Sequence, residues 1–170
     1  MANHIRNRIS LPSDEAARGR LLDLMAGPEG TWGDVDFNGL IPMPENVYRG
    51  PLGSEEMERY PGEMNWYDWS IAHWGTKWNA WDSGIYGDYL EFTTAWNGVS
   101  EIVARLSEQL PGVPLSYYWA DEDIGFNVGG LALMDGAIFD EDMPEEGSAE
   151  AVALAREIWG IEDGDEEEEE

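Results

Sequence analysis

Five of the chain's nine tryptophans, Trp66, Trp69, Trp74, Trp78 and Trp81, fall in the stretch NWYDWSIAHWGTKWNAWDS (65–83), together with the only lysine, Lys77. Each buried aromatic side chain removes about 150–250 Å² from water, and each indole N–H requires a hydrogen-bond partner. A chain of 170 residues has to place such a cluster in or against its core. Trp66, Trp69, Trp74 and Trp78, with Ile71, are spaced for one face of a short helix that ends near Gly75. The block therefore reads as the seal of one end of a sheet-and-helix sandwich. In that reading Lys77 is a cation–π or ion-pair strut, and Asn79 and Asp82 satisfy indole N–H groups or cap the segment. The competing reading is an aromatic platform for a partner.

The rest of the chain supplies the sandwich. In NHIRNRISL (3–11), Ile5, Asn7, Ile9 and Leu11 alternate with His4, Arg6, Arg8 and Ser10, the pattern of a strand with one buried face. A helix follows, with Ser13 or Asp14 as N-cap, an apolar stripe through Leu21, Leu22 and Met25, and a stop at Gly27-Pro28. DVDFNGLIPMPENVYRG reads as a short strand running into a proline turn, and residues 45–64 as a surface insertion. DYLEFTTAW (88–96) alternates as a strand. NGVSEIVARLSEQLPG carries Ile102, Val103, Leu106 and Leu110 at helical spacing, and PLSYYWADED and IGFNVGGLALMDGAIFDED read as two or three antiparallel strands turning at Asp135-Gly136. An alanine-rich helix runs from about Ser148 to Trp159, and EDGDEEEEE is too charged to pack. This order predicts an α+β fold: a ferredoxin-like (split β-α-β) antiparallel sheet with helices on one face, plus an acidic C-terminal helix and a disordered tail. The expected organisation is one domain over 1–139, an acidic extension with a helix over 140–161, and the tail over 162–170.

Charge bounds the function. Thirty-six acidic against nine basic side chains give a net charge of −27, and residues 121–170 hold 19 of those acids with a single base, Arg156. Such a field repels nucleic acid and anionic membrane and steers cationic partners inward. No apolar run is long enough to cross a bilayer, no amino-terminal leader is visible, and a cytoplasmic location is expected. The absence of cysteine removes disulfides, thiolate nucleophiles and zinc knuckles.

Several segments, MANHIRNRIS, FNGLIPMPENV (37–47), NWYDWSIAHWGTKWNAWD (65–82), FTTAW (92–96) and the run from VSEIVARL to ALMDG, together resemble the YubB ferredoxin-like family over residues 1–139. That resemblance implies the ferredoxin-like fold and a setting on phages and plasmids. It supplies no catalytic residues, and the acidic stretch after Asp140 departs from it.

No catalytic site is expected. His4 and His73 are the only histidines, no serine sits in a nucleophile elbow, and GFNVGG (125–130) reads as a turn or bulge rather than a phosphate cradle. The acidic runs DED (121–123) and DEDMPEE (140–146) do not match calcium-loop spacing, so neither metal nor cofactor is expected. Either the acidity serves solubility alone, or ordered carboxylates imitate phosphates in the basic cleft of a nucleic-acid-binding protein. The second reading names Asp121, Glu122, Asp123, Asp140, Glu141, Asp142, Glu145 and Glu146 as partner-binding residues. Its partner is a basic nucleic-acid-binding complex of the host, and in a mobile-element protein that means a defence complex such as a CRISPR effector. A binding module that uses the tryptophan-rich end is the alternative.

Overall fold

Residues His4–Ser10 form strand β1, and their alternation sends Ile5, Asn7 and Ile9 to one face of a sheet and Arg6 and Arg8 to the other. The computed structural model describes residues 3–26 and 34–161, so the Gly27-Pro28 stop and the tail expected over 162–170 lie outside the described residues. Helix α1 (Glu15–Met25) starts at Asp14, whose carboxylate accepts from Ala17 N at 2.9 Å. Then come α2 (Ser54–Arg59), α3 (Trp66–His73), β2 (Trp81–Tyr86), β3 (Tyr89–Ala95), α4 (Ser100–Glu108), β4 (Leu115–Asp121), β5 (Val128–Met134), β6 (Ala137–Asp142) and α5 (Ala149–Trp159). Among the described residues the strands make one antiparallel sheet in the order β2-β3-β1-β4-β5-β6. β1 thus lies inside the sheet, with Asn7 opposite Phe92 on β3 and Trp119 on β4.

One face carries the main core. Ile9, Phe92, Leu115, Tyr117 and Leu133 from the strands pack with Leu21 and Met25 of α1 and with Ile102, Val103 and Leu106 of α4. Helix α5 covers part of the opposite face, where Ala151, Ala155 and Ile158 lie on Ala120 and Val128. Ser148 caps α5 by accepting from Ala151 N, and Gly160 ends it at φ 70°. Helices α1 and α4 thus share one face, and α5 lies on the other. The stretch after Asp140 is continuous with the sheet: β6 pairs with β5, and the half-buried Trp159 of α5 donates its indole N–H to the carbonyls of Ala120 and Asp121, each at 3.0 Å.

Two local expectations change, and one further strand comes to light. The stretch read as a short strand after residue 34 forms a 3-10 turn over Phe37–Gly39, because Asp36 accepts from Asn38 N and Asn79 accepts from Phe37 N. The polar side of β1 is not solvated: Arg6 is buried and Arg8 nearly so. The segment from Trp81 to Tyr86 is a strand, paired to β3 through a two-residue turn at Gly87-Asp88.

A buried polar group ties β1 to β4 and α4. The Tyr117 hydroxyl donates to Asn7 Oδ1 at 2.6 Å and accepts from Val99 N at 2.7 Å, while Asn7 Nδ2 donates to Thr94 Oγ1 at 2.9 Å. Burial pushes the phenol of Tyr117 above its ordinary range, and the bond from Val99 N opposes that only in part. A phenol whose folded pKa is raised contributes stability that is complete below its unfolded pKa of about 10 and is lost as pH rises beyond it. Tyr117→Phe strands the Asn7 carbonyl and the Val99 amide. It should lower the unfolding free energy at neutral pH by about 1–3 kcal/mol in urea titrations and flatten the alkaline loss of stability.

Candidate interaction surface

The tryptophan block is largely core. Asn65 caps α3 by accepting from Asp68 N, and Trp69 and Trp74 are buried with their rings edge-to-face at 5.1 Å. The indoles of Trp74 and Trp66 find backbone carbonyls: Trp74 donates to Ile41 O and Trp66 to Gly50 O, each at 2.9 Å. Asn79 does not serve an indole. Its amide donates to Asp36 and its carbonyl orders the 3-10 turn, whereas Asp82 lies 3.6 Å from Arg6. Trp78 remains 38% exposed, and Lys77 Nζ stands 4.5 Å from its ring centroid and 5.4 Å from that of Trp96. The cation–π strut is therefore present, bridging the block to the end of β3 rather than to Trp74.

The histidines keep separate company. His73 stacks on Trp69 and is hydrogen-bonded to Glu63, while His4 meets Trp81 edge-on and lies 3.9 Å from Glu122. A cavity of about 310 Å³ is lined by Asn97, Gly98, Tyr117, Trp119, Asn127 and Met143 among others, and its lining includes neither a carboxylate nor a histidine. Among the described residues no group of three metal-ligating side chains is placed to hold an ion, and no helix is long and apolar enough to cross a membrane.

The second face of the sheet, beside α5, holds an arginine pair that the alternation of β1 concealed. Arg6 Nε and Arg8 Nη2 both reach Glu91 on β3, at 3.3 and 3.4 Å, and the Arg8 guanidinium lies 4.5 Å above the ring of Tyr89. Arg6 also donates to Thr93 and to the carbonyl of Asp82, and Arg8 to the carbonyl of Glu157 on α5. Arg8 Nε is buried and has no hydrogen-bond partner among the described residues. Tyr118, next in this row, has its phenol pKa raised by burial first and then by Tyr89, Asp142 and Glu157.

The acidic residues named from the sequence separate into three settings. Asp121 is buried at the end of β4, where its carboxylate accepts from Asn3 Nδ2 and from Asp123 N, so it shapes the β4–β5 turn instead of facing a partner. Glu122 and Asp123 are exposed in that turn. Asp140, Glu141 and Asp142 are exposed on β6, with Asp140 and Asp142 opposite Ala132 and Gly130 and Glu141 opposite Leu131. The first two thus share one face, about 6.6 Å apart from the rise of a strand, while Glu141 projects from the other. Glu145 and Glu146 are exposed in the connection to α5, and Gly147 N donates to Gly125 O at 2.8 Å, which joins this connection to the β4–β5 turn. Seven exposed carboxylates therefore run from the free edge of the sheet around one end of it.

A mixed helix-and-strand domain with a six-stranded antiparallel sheet is the class these observations define. A family model described as the ferredoxin-like domain in Api92-like protein matches residues 73–162, and the chain belongs to that family. The match covers more than half of the chain, runs from the end of α3 through α5, and passes through Asp140 without a break. No curated protein and no solved structure matches the chain.

Glu91 is the only carboxylate of the arginine cluster that is itself buried, since the side chains of Asp82 and Glu157 are 73% and 70% exposed. Glu91→Gln leaves two guanidiniums side by side on one face of β1 without their shared counter-charge. A loss of about 3 kcal/mol in unfolding free energy is expected, read by urea denaturation.

Proposed function

We propose that this protein is a non-enzymatic binder that presents ordered carboxylates to a basic, nucleic-acid-binding partner. The supporting observation is the run of exposed acids from Asp140, Glu141 and Asp142 on the free edge, through Glu145 and Glu146, to Glu122 and Asp123 in the adjoining turn. They are mounted on hydrogen-bonded backbone, so their charge is fixed in place before the partner arrives. That favours electrostatic complementarity and a fast on-rate. Asp121 belongs to the support of this surface. The cluster occupies the partner's basic cleft as phosphates do, and the partner loses access to nucleic acid.

The finer reading adds a setting. The strand order β2-β3-β1-β4 inside the larger sheet supports reading this part as a split β-α-β unit to which β5, β6 and α5 are added. We take the chain as a YubB-like member carried by phages or plasmids, acting in the host cytoplasm against a defence complex such as a CRISPR effector.

Tagged protein should retain a nucleic-acid-binding complex from lysate of a host with active defence systems, and added DNA should displace it. Reversing three charges, with Asp140→Lys, Glu141→Lys and Asp142→Lys, should weaken capture roughly tenfold or more and leave the urea midpoint near that of the parent protein. Undiminished capture after reversal overturns the proposal. Affinity that is indifferent to salt moves attention to the exposed Trp78 end.

A further inference from the structure

Among the described residues strand β6 ends the sheet, and one row of its backbone N–H and C=O groups has no ladder partner there. All six of its residues are exposed, and apolar side chains are prominent among them: Phe139 is 60% exposed and Ile138 48%. Met143, just past the strand, is 58% exposed. A free edge bearing exposed apolar side chains is the kind of edge that proteins ordinarily shorten, cover or charge, because it templates pairing with another chain. Contiguous exposed apolar surface rimmed by charge marks an interaction site.

The register sharpens this. Leu133 faces Ile138 and Ala132 faces Asp140, so Phe139 is the extra residue of a bulge. The Glu141 amide donates to its neighbour's carboxylate, Asp140 Oδ1, at 3.0 Å, a contact that an incoming carbonyl can replace. The edge thus carries two apolar side chains followed at once by three acids. A second copy fits it poorly, since full antiparallel self-pairing sets Ile138 and Phe139 of each copy against Glu141 and Asp140 of the other, and none of the opposite-charge pairs that stabilise adjacent strands forms.

We propose that β6 is a docking edge for an extended basic strand of a partner protein. The partner strand adds beyond β6, lays apolar side chains on Ile138 and Phe139, and places lysines or arginines on the α5 side against Asp140 and Asp142. This rests on the basic-partner reading above and deepens it by naming the form of the contact: main-chain pairing supplies affinity, and the carboxylates choose the partner.

The probe is a short synthetic peptide alternating lysine with valine, compared with a peptide of equal charge in which proline replaces every second valine. Both are titrated into the full-length protein by calorimetry, with amide exchange followed by NMR. The alternating peptide should bind at least about tenfold tighter, because proline cannot donate to a ladder. It should slow exchange across residues 137–142 and not across β2, the opposite edge. Ile138→Ser combined with Phe139→Ser should weaken it roughly fivefold or more. Equal affinity for the two peptides, protection on β2, or sedimentation showing a dimer that pairs through β6 without peptide each overturns the docking edge. If the two peptides bind equally while the triple charge reversal still abolishes capture of the host complex, the acidic reading stands and strand pairing falls. Capture that survives the triple reversal removes the acidic reading itself, whatever the peptides do.

Discussion

The structure turns on β1, a strand flanked on both sides by neighbours and buried on both faces. Towards the main core it offers Ile5 and Ile9 and, between them, Asn7, fully buried but bonded to Thr94 and Tyr117. Towards α5 it offers two arginines that share Glu91. A buried polar group left unpaired costs more than the bond it makes returns, so both clusters hold the register of β3 and β4 against β1. A slip of one residue would bring the guanidiniums into the apolar core and Ile5 and Ile9 out of it. The polar groups specify the pairing; the apolar groups supply most of the driving force.

That arrangement also explains how a chain of charge −27 folds compactly. Self-repulsion grows with net charge, and it is weakest when like charges sit far apart in water. Two of the eight arginines are spent inside the sheet, each within 4 Å of carboxylates from β3 and from β2 or α5. Most of the acids among the described residues are on turns, exposed helix faces and the β6 edge, where solvent screens them. The C-terminal half of the sheet is acidic at its rim and small or apolar inside: Gly129, Gly130, Leu131 and Leu133 line β5 while Asp140, Glu141 and Asp142 lie outside it.

Much of this was legible in the sequence. The alternation of Ile5, Asn7 and Ile9, the helical spacing of Ile102, Val103, Leu106 and Leu110, and the Asp135-Gly136 turn, where φ is 53° and 82°, all act over a few residues and appear where the pattern put them. What escaped depends on distant partners. Arg6 and Arg8 alternate with apolar residues as solvent-facing side chains do, and only Glu91, 83 residues beyond Arg8, turns their side of the strand into an interior. Asp121 looked like one more acid in a run, and its burial follows from Asn3 at the other end of the chain. β2 was hidden by Gly84 and by Asp82 at φ 49°, which interrupt the alternation of Trp81, Ser83 and Ile85 at an irregular step in the pairing.

The surface acids depend on one such irregular step as well. Were β6 to pair with β5 without the extra residue at Phe139, Asp140 would stand opposite Leu131 and Glu141 opposite Gly130. The side-chain period of a strand is two, so each carboxylate would change faces. The pair Asp140 and Asp142 would turn towards the α4 side, which in the structure receives only Glu141, and Glu141 alone would face the α5 side. The bulge keeps both acids on the α5 side, beside the shallow groove lined by Ser116, Tyr118 and Gly130. The bulge at Phe139 thus sets the face that the two carboxylates present to a partner.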